Sequence, residues 1–446
     1  MHPMQDLVAK SWGPERDMEY GEERKDAYQG PVLTVLTRTV VVPSVTLTQR
    51  KFAVLEELEE IYREIVVNLV NLGFRNNVKS FTRLRKWKYR ELRNQYPELP
   101  SHYIYTACQD ASVRIKSFLK LKKKGIARTD RPEINRVSIW LDDHLWKLID
   151  KTTIRIATHK GYLYIPLKPH KLYWKYINSS WRLRTQPRVR LDRKNRRILI
   201  DLIFEKEVQT NQCANVPIPV DINESNVTVK VGGEVFILLS DIKEVTLGYA
   251  QYRETIQSIR GDRHVRRTLG NNERHKKEDR RLKIANIIAN TAKQLGGIVI
   301  LEKLPKECPR NMIRNIRDKK LRHRIYQAGF RMLLKAIIEK CEENGVPYTL
   351  INPKGTSSIC PFCGSKLMRG DAPRQLYCKK CGRSLGRDVV AVLNLERKAT
   401  SQGRVPFAPM PNDSGLEVAV LPMRDWMRRK SLPLIPNETI LTKMMQ

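Results

Sequence analysis

Long apolar runs are missing from this 446-residue chain. None approaches the ~18 residues that cross a bilayer, so neither a membrane span nor a membrane partner is expected. The opening stretch MHPMQDLVAKSWGPERDMEYGEERKDAYQG has no apolar signal core, and residues 1–31 read as a polar, mobile arm. Cysteine is sparse: of eight, Cys108, Cys213, Cys308 and Cys341 are scattered singly. That is poor material for a disulfide framework and fits a reducing cytoplasm. No serine or cysteine stands in a convincing nucleophile setting. Acid is short too, with 47 Asp+Glu against 83 Lys+Arg and a formal net charge of +36. Such an excess implies a polyanionic partner. Nucleic acid ranks first, because neutralising many phosphates releases their counterions.

What is present changes character along the chain. VLTVLTRTVVVPSV, rich in β-branched residues, predicts a strand within residues 32–47. Thr48 is a candidate cap for a helix from about Gln49. Its stripe of Phe52, Leu55, Leu58, Tyr62, Ile65, Leu69 and Leu72 recurs at helical spacing, with Gly73 as the stop. Helices continue past breaks at Pro97 and Pro100, with a second stripe on Ile104, Ala107, Cys108, Ala111, Ile115 and Phe118. Residues 48–130 therefore predict a helical module with basic outer faces. Residues 131–214 turn to short β runs, and with the first strand they predict a small β-barrel. Within them KPHKLYWKYINSSWRLR interleaves basic and aromatic residues. That mix suits phosphate contact plus stacking, or equally a barrel core with solvated cations.

From residue 215, VPIPVDI, NVTVKVG and EVFILLS predict three consecutive strands. A long, very basic helical region follows over about 241–295. Then come the strand GGIVILEKL, an amphipathic helix ending at Gly345, and the strand PYTLINP. The order β-β-β-α-β-α-β predicts a mixed sheet with helices on it. Arg253, Arg266, Arg267, Lys276, Lys277, Arg280 and Arg281 are candidates for gripping a nucleic acid. Residues 400–446 read as a Pro-rich, irregular tail.

Cys360, Cys363, Cys378 and Cys381 form two Cys-x-x-Cys pairs, each followed by glycine. Four thiolates in this spacing hold a structural Zn²⁺ tetrahedrally and leave no open position for catalysis. Residues 356–385 thus predict a zinc ribbon. Three acids stand at element ends: Asp221 closes VPIPVD, Glu302 closes GIVILE and Asp388 opens DVVAVLNLERKA. Singly, each reads as a common strand-ending or helix-capping acid. Jointly, in a sheet of this order, they can converge. Grouped carboxylates at an open site suit Mg²⁺ or Mn²⁺, and two such ions ~4 Å apart hydrolyse phosphodiesters without a protein nucleophile.

Together, VDINESNVTV, IVILEKL and TSSICPFCG…CKKCG…RDVVAVLN resemble the TnpB family of transposon-encoded, RNA-guided DNA endonucleases, related to compact type V CRISPR effectors. The resemblance covers roughly residues 33–397. It implies a multidomain α/β protein: an RNase H-like (RuvC) nuclease domain over 215–355 and 386–399, the zinc ribbon inserted between, a helical recognition module and a wedge barrel. It implies Asp221, Glu302 and Asp388 as catalytic metal ligands, the four cysteines as zinc ligands, and Asn394 as a site-ordering residue. Thr356 and Ser357 match the pair that precedes the family's ribbon. Arg387, beside the last acid, becomes a candidate phosphate contact. Pro219, Gly386 and the Val390-Ala391-Val392 run depart from the family pattern but spare every ligand.

The function expected is RNA-guided DNA cleavage in a prokaryotic cytoplasm. The partners are a guide RNA encoded near the transposon end and double- and single-stranded target DNA, acting on a monomer or dimer. The alternative is a zinc-ribbon nucleic-acid-binding protein, or a transposase accessory, without RNA-guided cleavage.

Overall fold

The computed structural model describes residues 33–184, 186–211, 214–261, 265, 268–305, 307–405 and 416–433. The N-terminal arm, Cys213, Arg266 and Arg267 lie outside the described residues. The chain divides into two compact units, one built mainly of residues 35–207 and the other mainly of residues 208–446.

In the first unit, strand β1 (Leu33–Pro43) precedes helices α1 (Gln49–Arg75), α2 (Phe81–Gln95) and α3 (His102–Lys123). Thr48 caps α1, its side chain accepting from the Lys51 N–H. The α1 stripe from Phe52 to Leu69 is buried. The helix does not stop at Gly73. It runs on to Arg75, and glycine is there for packing: a Cβ would lie 2.7 Å from Ile115 Cδ1 of α3 and from the Val78 carbonyl oxygen.

Strands β2 (Ile139–Trp140), β3 (Trp146–Asp150), β4 (Thr153–Thr158) and β5 (Gly161–Pro166) follow, then the short helix α4 (Lys171–Ile177). β6 (Arg182–Leu183), β7 (Arg188–Asp192) and β8 (Arg197–Gln209) complete the set. The ladders make two sheets, β1-β8-β7-β2 with β6 on β8, and β3-β4-β5. An isolated Ser44–Leu167 bridge links residues just beyond β1 and β5. The expected barrel is thus two sheets sharing one apolar core with α1–α3.

The second unit opens with β9 (Val216–Ile222), β10 (Asn226–Val231) and β11 (Glu234–Leu239), an antiparallel meander. Helices α5 (Ile242–Arg260) and α6 (Asn272–Gln294) come next, then β12 (Gly297–Glu302), α7 (Arg310–Ile313), α8 (Lys319–Ala328), α9 (Phe330–Asn344) and β13 (Tyr348–Ile351). Hairpin strands β14 (Met368–Arg369), β15 (Gln375–Tyr377) and β16 (Ser384–Gly386) lead into α10 (Arg387–Ser401); β17 (Glu417–Leu421) and α11 (Met423–Trp426) end the described chain.

One six-stranded sheet runs β13-β12-β9-β10-β11-β17, with β12 parallel to both β9 and β13. Alternation along a strand splits its side chains between two faces. Ile218, Val220, Val299 and Leu301 join α6 and α9 in one core. Ile300 points the other way, against Leu395 and Ala399 of α10.

Residues 416–426 correct the expected irregular tail. β17 adds to the sheet edge parallel to β11, and Trp426 is fully buried, its indole N–H donating to the Leu239 carbonyl at 2.8 Å. Among the described residues, no helix is long and apolar enough to cross a membrane.

Candidate active site

Strand register brings the first two acids together. Val220 of β9 pairs with Leu301 of β12, so Asp221 and Glu302 follow side by side at the ends of parallel strands. Each flanks a residue of the α6–α9 core, so alternation turns both carboxylates to the opposite face, the one α10 covers. Asp388 sits in the first turn of α10, where a carboxylate complements the helix dipole. Lys230 of β10 and Glu396 of α10 form a buried ion pair at 2.7 Å, which ties that helix to the sheet.

A short polar network joins Asp221 to Asp388, and a separate hydroxyl holds Glu302. The Asn223 amide donates to Asp221 at 2.7 Å, and the Asn226 amide donates to Asp388 at 3.3 Å. The Thr356 hydroxyl lies 2.7 Å from Glu302 Oε1, with the Pro353 carbonyl at 2.9 Å as its alternative acceptor. Asn394 holds that loop, donating to the carbonyls of Thr356 (2.8 Å) and Ile359 (2.7 Å).

The electrostatics follow from this crowding. Burial, with the Glu302 and Asp388 charges, pushes Asp221 up to about 7, against the Asn223 hydrogen bond and the Arg374 charge. Burial also raises Glu302, opposed by the Thr356 hydrogen bond and by Lys398 and Arg387. Directly across β10 from Asp221, Thr228 has a buried hydroxyl with no partner among the described residues. Neighbouring buried carboxylates and a hydroxyl are oxygen donors of the kind a hard divalent cation takes.

The four cysteines meet as the spacing predicts. Their sulfurs all lie within 4.8 Å of one another, with Cys360–Cys381 at 3.7 Å and Cys363–Cys378 at 3.4 Å. A tetrahedron with Zn–S near 2.3 Å puts sulfurs ~3.8 Å apart, so the cluster fits zinc. Each knuckle turns through a glycine in the left-handed region, Gly364 at φ 74° and Gly382 at φ 68°. The ribbon is bound to the acidic site. Cys360, Leu367 and Cys378 pack on Val390 of α10, and the Arg387 N–H donates to the Arg374 carbonyl at 2.7 Å.

Arg374, on the ribbon hairpin, has no signal in the sequence. Its guanidinium pairs with Asp388 and donates to Asn223 Oδ1 at 2.9 Å. Asn223 and Asn226 were equally silent, although both lie within the motif that contains Asp221.

The basic candidates separate. The single long basic region is two helices, and much of its charge is neutralised within the fold. Lys277 is buried against Glu273 and Gln327, and Arg281 is buried with its guanidinium on the carbonyls of Gln327 and Ala328. Both are corrections: buried, they offer no free charge to a polyanion. Arg253 pairs with Glu273, Arg280 with Asp241 and Asp279, and Lys276 lies over the Tyr249 ring at 5.4 Å.

Fold and site together define a mixed α/β protein with three neighbouring acids beside a four-cysteine ribbon. The Cas12f1-like, TNB domain matches residues 330–395, from α9 through the ribbon into α10, and the Uncharacterized protein MJ0013 family matches residues 58–157. Uncharacterized protein MJ0857 of Methanocaldococcus jannaschii is 34% identical over 244 residues, covering 51% of this chain and 89% of that protein. TnpB-like protein MJ0751 of the same organism is 28% identical over 212 residues, covering 45% and 74%. A solved Cas12f1–sgRNA–target DNA complex shares the fold, with a TM-score of 0.51 and 13% identity over 78% of this chain and 82% of that one. The chain is a relative of TnpB-like proteins and shares the fold of a Cas12f1 effector.

Proposed function

We propose that the protein is an RNA-guided, metal-dependent DNA endonuclease with an RNase H-like (RuvC) nuclease domain. The observation that carries this reading is the placement of Asp221 and Glu302 side by side beneath the helix that opens with Asp388. Asp221, Glu302 and Asp388 would hold magnesium or manganese, and the four cysteines a structural zinc. The divalent ions, when bound, supply the Lewis acidity that activates water and steadies the leaving 3′ oxygen. The protein's own groups set the geometry. Asn223 and Asn226 orient Asp221 and Asp388, Thr356 orients Glu302, and Asn394 fixes the loop that carries Thr356.

A net charge of +36 matches a nucleic-acid partner. The Cas12f1 relative of like fold was solved with guide RNA and target DNA, which supports the same two partners here. The target would be read by base pairing, with the protein holding the heteroduplex by its backbone. The helical residues 48–130 serve as the recognition module and residues 131–214 as the wedge beside it, in a prokaryotic cytoplasm.

Two measurements test the reading. RNA that copurifies with the protein is sequenced, and a discrete structured RNA with a variable 3′ end is expected; random RNA defeats guidance. Asp221→Ala should abolish DNA cleavage while RNA and DNA binding persist, and unchanged cleavage refutes the acid assignment. Intact binding with no cleavage by the wild-type protein would leave the zinc-ribbon binding protein as the correct class.

A further inference from the structure

A second constellation of metal-ligand side chains stands in the first unit, apart from the cysteines and the three acids. His102 opens α3, and Asp142 and His144 lie on the turn between β2 and β3. Each offers one ligand atom, and the three atoms lie within 4.8 Å of one another. His102 Nδ1 is 2.5 Å from Asp142 Oδ2. The two imidazoles stack, with centroids 3.9 Å apart and planes inclined by 19°. The Asp142 carboxylate is buried at 6% exposure, and its other oxygen accepts the His144 N–H at 3.2 Å. The histidines border a cleft of about 240 Å³ that Ser101, Thr158 and Tyr162 also line.

We propose that His102, Asp142 and His144 bind a divalent first-row transition ion, with zinc the representative case. Two imidazole nitrogens and one carboxylate oxygen are the donors that zinc and its neighbours take, and they exclude neither a water nor a further ligand from the open side. Ligands bound at ~2.0–2.2 Å stand ~3.0–3.5 Å apart, so small rotations of His102 and of the exposed His144 complete the site. The cation takes the place of the proton between His102 Nδ1 and Asp142 Oδ2. Asp142 is the fixed member, because burial and its bond from the His144 backbone leave it one orientation. Asp143 stands by, its carboxylate 3.1 Å from His144 Nδ1, and orients that ring. The ion would pin the start of α3 to the β2–β3 turn, independently of the nuclease chemistry.

The test counts metal. Full-length protein carrying Asp221→Ala and Asp388→Ala, which remove the carboxylate site as a third place for zinc, is equilibrated with Zn²⁺ and the bound ion measured per chain. Two equivalents are expected in this background, and one when His144→Ala or His102→Gln is added. Cobalt substitution identifies which site is lost. The intense thiolate-to-cobalt bands must persist in both variants, while the weaker visible bands of a nitrogen–oxygen site disappear. His144 is exposed, so His144→Ala should melt with the wild type in EDTA and separate from it only when Zn²⁺ is added. A single equivalent in the acid-deleted background, or a second equivalent kept there by both histidine variants, overturns the assignment.

Discussion

Replacing Asp221 by asparagine tests whether that carboxylate is buried beside the other two acids. Burial, Glu302 and Asp388 hold Asp221 at about 7 against an ordinary 3.8. That gap is worth ~4 kcal/mol at ~1.36 kcal/mol per pH unit. The sign follows from linkage. With the folded value raised, the folded protein keeps a proton that the unfolded chain has released, so this stability is complete below about 3.8 and is lost as pH rises through about 7. Asparagine does not titrate, yet its amide oxygen still accepts the Asn223 hydrogen bond that Asp221 takes at 2.7 Å. In EDTA, Asp221→Asn should therefore gain on the wild type by ~3 kcal/mol between pH 5 and pH 8, the larger part of that linkage term. Hydrogen exchange of the β9 and β12 amides reports this unit alone. At pH 8, Mg²⁺ should then protect the wild type by mass action and protect the variant less. A gap between the two proteins that is the same at both pH values would refute the raised Asp221, and with it the burial of that carboxylate beside Glu302 and Asp388.

Three further outcomes follow from the same structure. Cys378→Ala should release the zinc and lower DNA cleavage by disordering the hairpin that packs on Val390 of α10; metal analysis and a cleavage assay check it, and retained zinc with full cleavage breaks the link. Arg374→Ala removes the guanidinium paired with Asp388, so the Mg²⁺ concentration giving half-maximal cleavage should fall about fivefold, the equivalent of ~1 kcal/mol for a half-exposed pair. Trp426→Ala should cost ~4 kcal/mol in chemical unfolding, because it empties a fully buried site and orphans the Leu239 carbonyl; a loss under ~1 kcal/mol would mean that the C-terminal segment is not part of the sheet.

Much of the site is readable where its signal is local. The knuckle spacing alone specified four thiolates, because two residues between cysteines is the loop a metal needs. Apolar runs ending in Asp221 and Glu302 marked strand ends, and the stripe on α1 marked its buried face. Gly73 misled because a glycine near a helix end looks like a stop, whereas here it serves close packing on a helix some forty positions away. The basic helices misled in the same way. Sequence counts the cations of Lys277 and Arg281, but their burial depends on Glu273, Gln327 and Ala328, two of them on another helix.

Residue types and short spacings thus pointed to the four clustered cysteines, the candidate acids and the charge that suits a nucleic-acid partner. Sheet order and register settled the rest. Asn223 meets Arg374 across 151 positions, Lys230 meets Glu396 across 166 and Trp426 meets Leu239 across 187. No periodicity reports such pairs, because each exists only after strands and helices distant in the chain have packed, and packing buries charges and apolar faces that the linear pattern leaves equally available to solvent.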